Sequence, residues 1–420
     1  MKPSIYNILH KSRNGKIFLF NSKTKASITL PPLFDTSFLT EINSFNALSK
    51  EEKKLLVDNG FFVDDSLDEL AEVNYMFNMH YFDTNNINIA LVPTLKCNFN
   101  CPYCFEKGYG EIPERKDYFD VLKKYSEKTF KHKNFVCISL FGGEPLVCAE
   151  KVFDYLEFVS NDSLKHDYKF ITTITTNGSL LNEDVIKKLI KYHLYSLQIT
   201  LDGNRESHNK TRVYHDGSPS FDILISKIKL LLDMTENYDF VFYLRINLLN
   251  QSTETLTEIL SEFEEKYRKR INVLVRPIYQ TKKFKEKNTN NREELEPFFA
   301  IAEEMGFKIN KNTYYFQACE SCSDSRFFYL MPDLSMWKCV HNLGYTKAKI
   351  GCITSDGSVQ TIPENIIDWY KAANCFADEE CLKCSKLPSC WGGCILYKQK
   401  NNTRSCKSFD WACLPFCMND

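Results

Sequence analysis

From about residue 86 to residue 300, short runs of β-branched and aromatic residues alternate with longer stretches of mixed polarity. Six runs have strand length: Ile87 to Pro93, Phe135 to Phe141, Tyr168 to Thr175, Leu194 to Leu201, Asp239 to Leu248 and Ile271 to Ile278. The stretches between them carry helical spacing. In Asn182 to Tyr192, Asn182 is placed to cap, and Val185, Ile186, Leu189 and Ile190 form one apolar stripe. Strands separated by helices pair in parallel through right-handed crossovers, which suits either an open doubly wound sheet or an incomplete barrel. In both, ligands sit where loops leave the carboxyl ends of the strands.

Residues 1–85 have a different pattern and read as a small α+β unit. Lys16 to Phe20 predicts a strand. Ser49 and Glu52 form a capping box that opens a helix running to Asn59 and stopping at Gly60, and Phe61 to Val63 restarts as a strand. Helix, glycine and strand in that order suit a winged-helix-like module, or a strand and helix that merely cover the next domain. With the alternating region at 86–305 and a cysteine-rich tail at 306–420, three domains are expected, as the length of 420 residues allows.

Composition narrows the function classes. The formal net charge of -1 gives no bulk electrostatic reason to expect nucleic acid or an anionic membrane as partner. No apolar stretch approaches a signal peptide or a membrane span, so a cytoplasmic protein is expected. Seventeen cysteines would be odd as disulfides there, and metal ligation explains them better. Three lie together at Cys97, Cys101 and Cys104, Cys137 and Cys148 follow singly, and the other twelve fall between Cys319 and Cys417.

The run CNFNCPYC places the triplet just after the first strand. A structural zinc wants four ligands, and neither His80 nor Cys137 is well placed as the fourth. A 4Fe-4S cluster held by three thiolates keeps one iron open. The spacing Cys-x3-Cys-x2-Cys, with the aromatic Tyr103 before the last Cys, resembles the signature of the radical S-adenosylmethionine (SAM) enzymes. That resemblance implies a partial (β/α)6 barrel, with SAM chelated at the open iron and cleaved by one electron to a 5'-deoxyadenosyl radical. It also implies a low-potential electron donor such as a flavodoxin or ferredoxin. Phe105 and Glu106, which follow the triplet, resemble the peptide-modifying members.

Other polar residues fall at the same strand ends. Gly142, Gly143 and Glu144, before Pro145, follow the second strand. Asn177 follows the third, and Thr200 with Asp202-Gly203 ends the fourth. A bare Gly-Gly-Glu-Pro string reads as a turn, and Asn177 and Thr200 suit a cap or a strand-end turn equally well. The resemblance assigns Gly142, Gly143, Glu144, Asn177 and Thr200 to SAM. Arg212 has the side chain that matches a carboxylate, here the methionine carboxylate of SAM, although a lone arginine is most often a surface residue. His208 is as well explained by structure as by catalysis.

In the tail, Cys381, Cys384, Cys390 and Cys394 form a tight run with Gly392-Gly393 inside it. A zinc ribbon would use these four and leave Cys319, Cys322, Cys339, Cys406 and Cys413 unexplained. The arrangement resembles the SPASM extension of radical SAM proteins, which holds two auxiliary 4Fe-4S clusters. By that resemblance Cys319, Cys322, Cys339 and Cys394 hold one cluster, and Cys381, Cys384, Cys390 and Cys406 the other, with Cys413 the rival for the last place. Leu334 departs from the pattern, standing where the family commonly has glycine. Cys352, Cys375 and Cys417 are left without partners.

The expectation is a radical SAM/SPASM enzyme that modifies a ribosomally made precursor peptide, with a thioether cross-link as the preferred product. The precursor's leader segment would add as a strand to an edge offered by Lys16 to Phe20 or by Phe61 to Val63. Two alternatives are carried. One is a formylglycine-generating sulfatase maturase, which the resemblance expects to have an Asp close after the Cys corresponding to Cys339. This chain has Val340 and His341 there, and a valine cannot act as a base. The other is a non-catalytic iron-sulfur or zinc interaction protein.

Overall fold

The computed structural model describes residues 1–11, 17–30, 42–108, 112–248, 252–277, 296–309, 324–340, 345–404 and 406. The positions of Cys319, Cys322, His341, Cys413 and Cys417 lie outside them. Packing divides the chain into two units. One comprises Met1–Asp83, Lys311–Ser325 and Trp369–Asp420, and the other Thr84–Asn310 and Arg326–Asp368. Among the described residues no helix is long and apolar enough to cross a membrane.

In the first unit, β1 (Lys2–Pro3) pairs with β5 (Phe62–Val63), and β2 (Asn7–Lys11), β3 (Ile17–Asn21) and β4 (Ser27–Leu30) form an antiparallel sheet. The helix Lys50–Asp58 opens with the expected capping box: Glu52 N–H donates to Ser49 Oγ at 3.2 Å, and Ser49 N–H to Glu52 Oε2 at 2.8 Å. It ends at Gly60, whose φ of +75° suits a glycine after a helix. Leu19, Phe45, Leu56, Phe61 and Phe62 close a small core. The strand expected near Lys16 to Phe20 is β3, and it is the middle strand. Its backbone is paired on both sides, so it offers no edge to a leader. Further along, the helix Glu69–Tyr81 sets Phe77 against Phe376 and Trp391 of the cysteine-rich segment.

The second unit is built on one sheet. Parallel strands β6 (Asn86–Leu91), β7 (Phe135–Leu140), β8 (Lys169–Thr176), β9 (Leu194–Leu201), β10 (Val241–Leu248), β11 (Ile271–Pro277) and β12 (Lys308–Ile309) lie side by side in chain order. An unbroken order decides what the hydrophobic pattern left open. Every crossover advances the same way, so the sheet has no reversal point and takes the form of a partial barrel. β13 (Phe328–Leu330) pairs in parallel with β6, and β14 (Ser335–Trp337), β15 (Lys349–Ile353) and β16 (Val359–Thr361) continue antiparallel beyond it.

Alternation along each strand separates two faces. In β10, Phe242, Leu244 and Ile246 are fully buried, while Tyr243 and Arg245 on the other face are only half-buried. The first set packs in the apolar core. The second lines a polar inner face, where β7 contributes Ser139 and β8 Thr173, with Thr173 Oγ1 donating to Ser139 Oγ at 2.9 Å.

Candidate active site

The cluster loop leaves the carboxyl end of β6. Cys97, Cys101 and Cys104 line one cavity of about 310 Å³ together with Leu95, Lys96, Phe99, Glu106 and His215. Phe99 N–H and Asn177 Nδ2 both point at Cys97 Sγ, at 3.3 and 3.7 Å. Burial pushes the Cys97 thiol up to about 11, so the positive charge of a bound metal would have to stabilise its thiolate. Three convergent thiols with amide donors on one sulfur fit the iron of a 4Fe-4S cluster. Burial, then the charge of Glu144, pushes Glu106 up to about 8.

Neighbouring strand ends hold the loop in place. Asn177 Nδ2 also donates to Asn98 Oδ1 at 2.7 Å, and Asn98 Nδ2 to Ser179 Oγ at 2.8 Å. His215 bonds the Cys97 carbonyl at 2.8 Å, and Asn100 N–H donates to the Val213 carbonyl. Tyr103 donates its hydroxyl hydrogen to Asp202, which also accepts from Thr211 Oγ1 at 2.8 Å and Asn247 Nδ2 at 3.0 Å. Arg212 Nη1 donates to the Tyr103 oxygen at 3.0 Å, while its buried Nε has no partner among the described residues.

The Gly-Gly-Glu-Pro turn packs directly on this loop. Gly142 has φ +116°, and a Cβ there would lie 2.7 Å from the Thr94 carbonyl oxygen. At Gly143 a Cβ would strike the carbonyl oxygens of Leu95, at 2.5 Å, and of Lys96. Glycine is required because two backbones touch. Glu144 is fully buried and accepts from Leu146 N–H, Thr176 Oγ1 and Asn177 N–H at 3.0, 2.8 and 2.7 Å. Burial raises its pKa against these bonds. Its carboxylate therefore ties the turn to the end of β8.

Thr200 is buried on β9, opposite Arg245 in register. His208 is fully buried and neutral. Its Nδ1 accepts from Asp202 N–H at 3.2 Å, so Nε2 carries the proton toward Ser220 Oγ at 2.9 Å. Its place is structural, behind Asp202. Arg245, Asn247 and Arg276 also belong to this polar interior; sequence reasoning missed them, and the alternation of β10 and β11 is the signal that could have found them.

In the first unit the thiols converge as well. Burial, then Cys381, Cys384 and Cys406, pushes the Cys390 thiol up to about 11. Trp391, Gly392 and Gly393 all have positive φ, which folds the chain sharply between Cys390 and Cys394. Cys375 joins this group. A Cβ on Gly392 would come within 2.9 Å of Cys375 Cβ, and burial, then Cys381, pushes the Cys375 thiol up to about 12. Among the described residues no three His, Cys, Asp or Glu side chains stand close enough to hold a single metal ion. Cys339 follows β14 in the second unit, Cys352 lies on β15 and Cys137 on β7.

Residues 91–263 match the model of the Radical SAM superfamily. The radical SAM cyclopropyl synthase TigE of Paramaledivibacter caminithermalis is 31% identical over 173 residues, which cover 37% of this chain and 34% of that enzyme. The chain thus aligns with about a third of that relative's length. A cysteine-type anaerobic sulfatase-maturating enzyme of Clostridium novyi is 24% identical over 331 residues, covering 73% of this chain and 86% of that enzyme. Among solved structures, native anSMEcpe with bound AdoMet superposes with a TM-score of 0.54 at 18% identity, covering 73% of this chain and 88% of that one. Streptococcus suis SuiB bound to the precursor peptide SuiA superposes with a TM-score of 0.51 at 16% identity, covering 98% and 99%. At these identities the structural likenesses speak for the fold.

Proposed function

We propose, from the premise that residues 91–263 are a radical SAM domain using a 4Fe-4S cluster and SAM, that this chain modifies a precursor peptide, with a thioether cross-link as product. The observation that carries the reading is the cavity at the carboxyl end of the parallel sheet, lined by Cys97, Cys101 and Cys104 and braced by Asn177. With a reduced cluster and SAM bound there, the site would have one-electron chemistry available for taking a hydrogen atom from a substrate carbon.

The chain's own residues do the rest. Cys97, Cys101 and Cys104 hold the irons, and Asn177 and the Phe99 amide donate toward one sulfur. Arg212 has an Nε without a partner among the described residues, suited to the methionine carboxylate. Tyr103, Asp202 and Asn247 fix the loop against the strand ends, which orients a bound C–H bond and keeps stray donors out. The group of Cys381, Cys384, Cys390 and Cys406, with Cys375 beside it, supports an auxiliary cluster able to bind a substrate thiolate or accept an electron. The peptide class is supported by SuiB, whose structure holds its precursor. A leader would add to the outer side of β5 or to an edge of the three-stranded sheet.

The extended likeness to a sulfatase-maturating enzyme favours formylglycine formation as a second reading. Val340 weighs against it, being buried at 3% exposure and without a basic atom. The test is iron, sulfide and zinc content after anaerobic reconstitution of the chain and of its Cys97/Cys101/Cys104→Ala variant. About twelve irons falling by about four, with no zinc, is expected. About four irons with stoichiometric zinc would make the tail a structural zinc domain and end the auxiliary-cluster step.

A further inference from the structure

Lys398 brings a positive charge into the cysteine-rich segment. The helix Ile395–Asn401 starts directly after Cys394, and side chains on a helix lean back toward its start. Lys398, one turn in, therefore reaches over the turn between Cys390 and Cys394. Its Nζ donates to the Ala372 carbonyl at 3.2 Å and lies 2.7 Å from the place that a Cβ on Gly392 would take. Cys375 Cβ is 2.9 Å from the same place. Gly392, at φ +82°, thus leaves the room in which an ammonium and a buried cysteine come together.

Among the described residues no carboxylate pairs with Lys398, and Asp378, the acid beside Cys381, is taken by Arg404 at 2.7 Å. What the half-buried ammonium faces is sulfur, since its charge acts on the thiols of Cys375 and Cys381. A cluster held by four thiolates carries net negative charge, and a cation without a carboxylate is its complement. Two further polar groups of this unit fit the same partner. The Tyr6 hydroxyl and the Gln399 amide are buried with no hydrogen-bond partner among the described residues, and the charge of Cys375 reaches Tyr6. Cluster sulfurs accept hydrogen bonds from donors of this kind.

We propose that Lys398 is the charge partner of the auxiliary cluster held by the group of Cys381, Cys384 and Cys390, and that it raises the reduction potential there so that this cluster serves as an electron acceptor. This rests on the auxiliary-cluster part of the proposed function and deepens it, favouring electron acceptance over binding of a substrate thiolate. The reduced state carries one more negative charge than the oxidised one, so a fixed cation nearby stabilises it more. The electrons balance. A carbon radical and a thiolate bring three, two of them form the C–S bond, and the third passes to the cluster. Lys398 acts through the cluster and is a positioning residue for its charge.

The test uses the reconstituted full chain in the Cys97/Cys101/Cys104→Ala background, where about eight auxiliary irons are expected. Reduction by dithionite at set potentials is followed by electron paramagnetic resonance. Lys398→Gln is expected to lower the potential of at least one auxiliary cluster, its reduced-to-oxidised ratio falling about tenfold at a given potential, about 59 mV for one electron. Lys398→Arg should keep the parent's value, and iron equal to the parent's certifies that a variant is loaded. Unmoved potentials in Lys398→Gln, or equal shifts in the Gln and Arg variants, overturn the charge role and leave the auxiliary clusters standing. If Lys398→Gln does not load, Lys398→Met, which keeps the packing of the stem, decides by the same shift. Loading by Lys398→Arg but by neither neutral variant means that the charge is needed to hold the cluster, which supports the assignment. Failure of Lys398→Arg as well assigns the residue to packing and overturns it. Zinc in place of the eight irons in the background chain overturns both the assignment and the auxiliary-cluster reading.

Discussion

Tyr103 donates its hydroxyl hydrogen to Asp202, joining the cluster loop to the carboxyl end of β9 through a residue with 0% exposure. The aromatic ring required by the loop motif would be supplied equally by phenylalanine, so the hydroxyl has its own task. It presents an acceptor to Arg212 and a donor to Asp202 at once. Tyr103→Phe should lower unfolding stability by about 1–3 kcal/mol, since it strands buried partners. Iron content should hold while SAM binds more weakly, because Arg212 loses the contact that fixes it. Calorimetric titration with SAM, paired with iron analysis, checks this. Unchanged affinity would show that Arg212 needs no support from Tyr103.

His208 gives the second unit an acid-sensitive point. Burial, then the charge of Arg212, holds its pKa well below 6.5, and its two nitrogens are occupied by Asp202 N–H and Ser220 Oγ. A base whose folded pKa is lowered takes up its proton first in the unfolded chain. Its contribution is therefore complete above 6.5 and is lost as pH falls below that value. Unfolding stability should drop by about 1.4 kcal/mol per pH unit from this one site. His208→Asn keeps an oxygen for Asp202 N–H and removes the titration, so its acid limb should be shallower by one proton. Urea unfolding across the acid range measures the slope, and an identical slope in the variant would assign the proton elsewhere.

Much of this was readable before any coordinates. All six predicted strands stand within two residues of their expected starts, because β-branched runs bounded by turn residues leave little choice. The Ser49 capping box was legible for the same local reason. Closure of the sheet was not, since open and barrel forms use the same alternation and differ only in strand order. Glu144 shows the other limit. Its place in a glycine-rich turn at a strand end was clear, but that both oxygens face inward to Leu146, Thr176 and Asn177 depends on contacts distant in sequence. Arg245 and Arg276 escaped notice because a single arginine inside a strand run reads as an interruption until its neighbour across the register is known.

Gly143 separates two reasons for glycine. A Cβ there meets the backbone oxygens of Leu95 and Lys96, which cannot rotate away, whereas one on Gly217, at φ +83°, meets nothing within 4 Å. Gly217→Ala should cost about 1–2 kcal/mol from left-handed strain alone. Gly143→Ala should cost about 3 kcal/mol or more and displace the cluster loop, so reconstituted iron should fall as well. Urea denaturation and iron analysis of the two variants side by side would expose the error if they behaved alike.

Leu334 stands where the resembled family commonly has glycine, and its backbone explains the preference. It sits at φ +65° in the turn between β13 and β14, donating its N–H to the Met331 carbonyl at 2.8 Å, and it is fully buried. A leucine there bears about 1–2 kcal/mol of left-handed strain. Burial of its side chain contributes about 1.5–3 kcal/mol in return, so leucine and glycine are nearly matched solutions. Leu334→Gly gives up the buried side chain and leaves a cavity, but it is relieved of the strain and should lose about 1–2 kcal/mol less than the alanine variant. Leu334→Ala keeps the strain and gives up most of the burial, and should lose about 2–5 kcal/mol. In an ordinary buried site alanine is better tolerated than glycine, so thermal unfolding in which Leu334→Gly outlasts Leu334→Ala is the signature of the left-handed backbone, and the usual order would remove strain from the account.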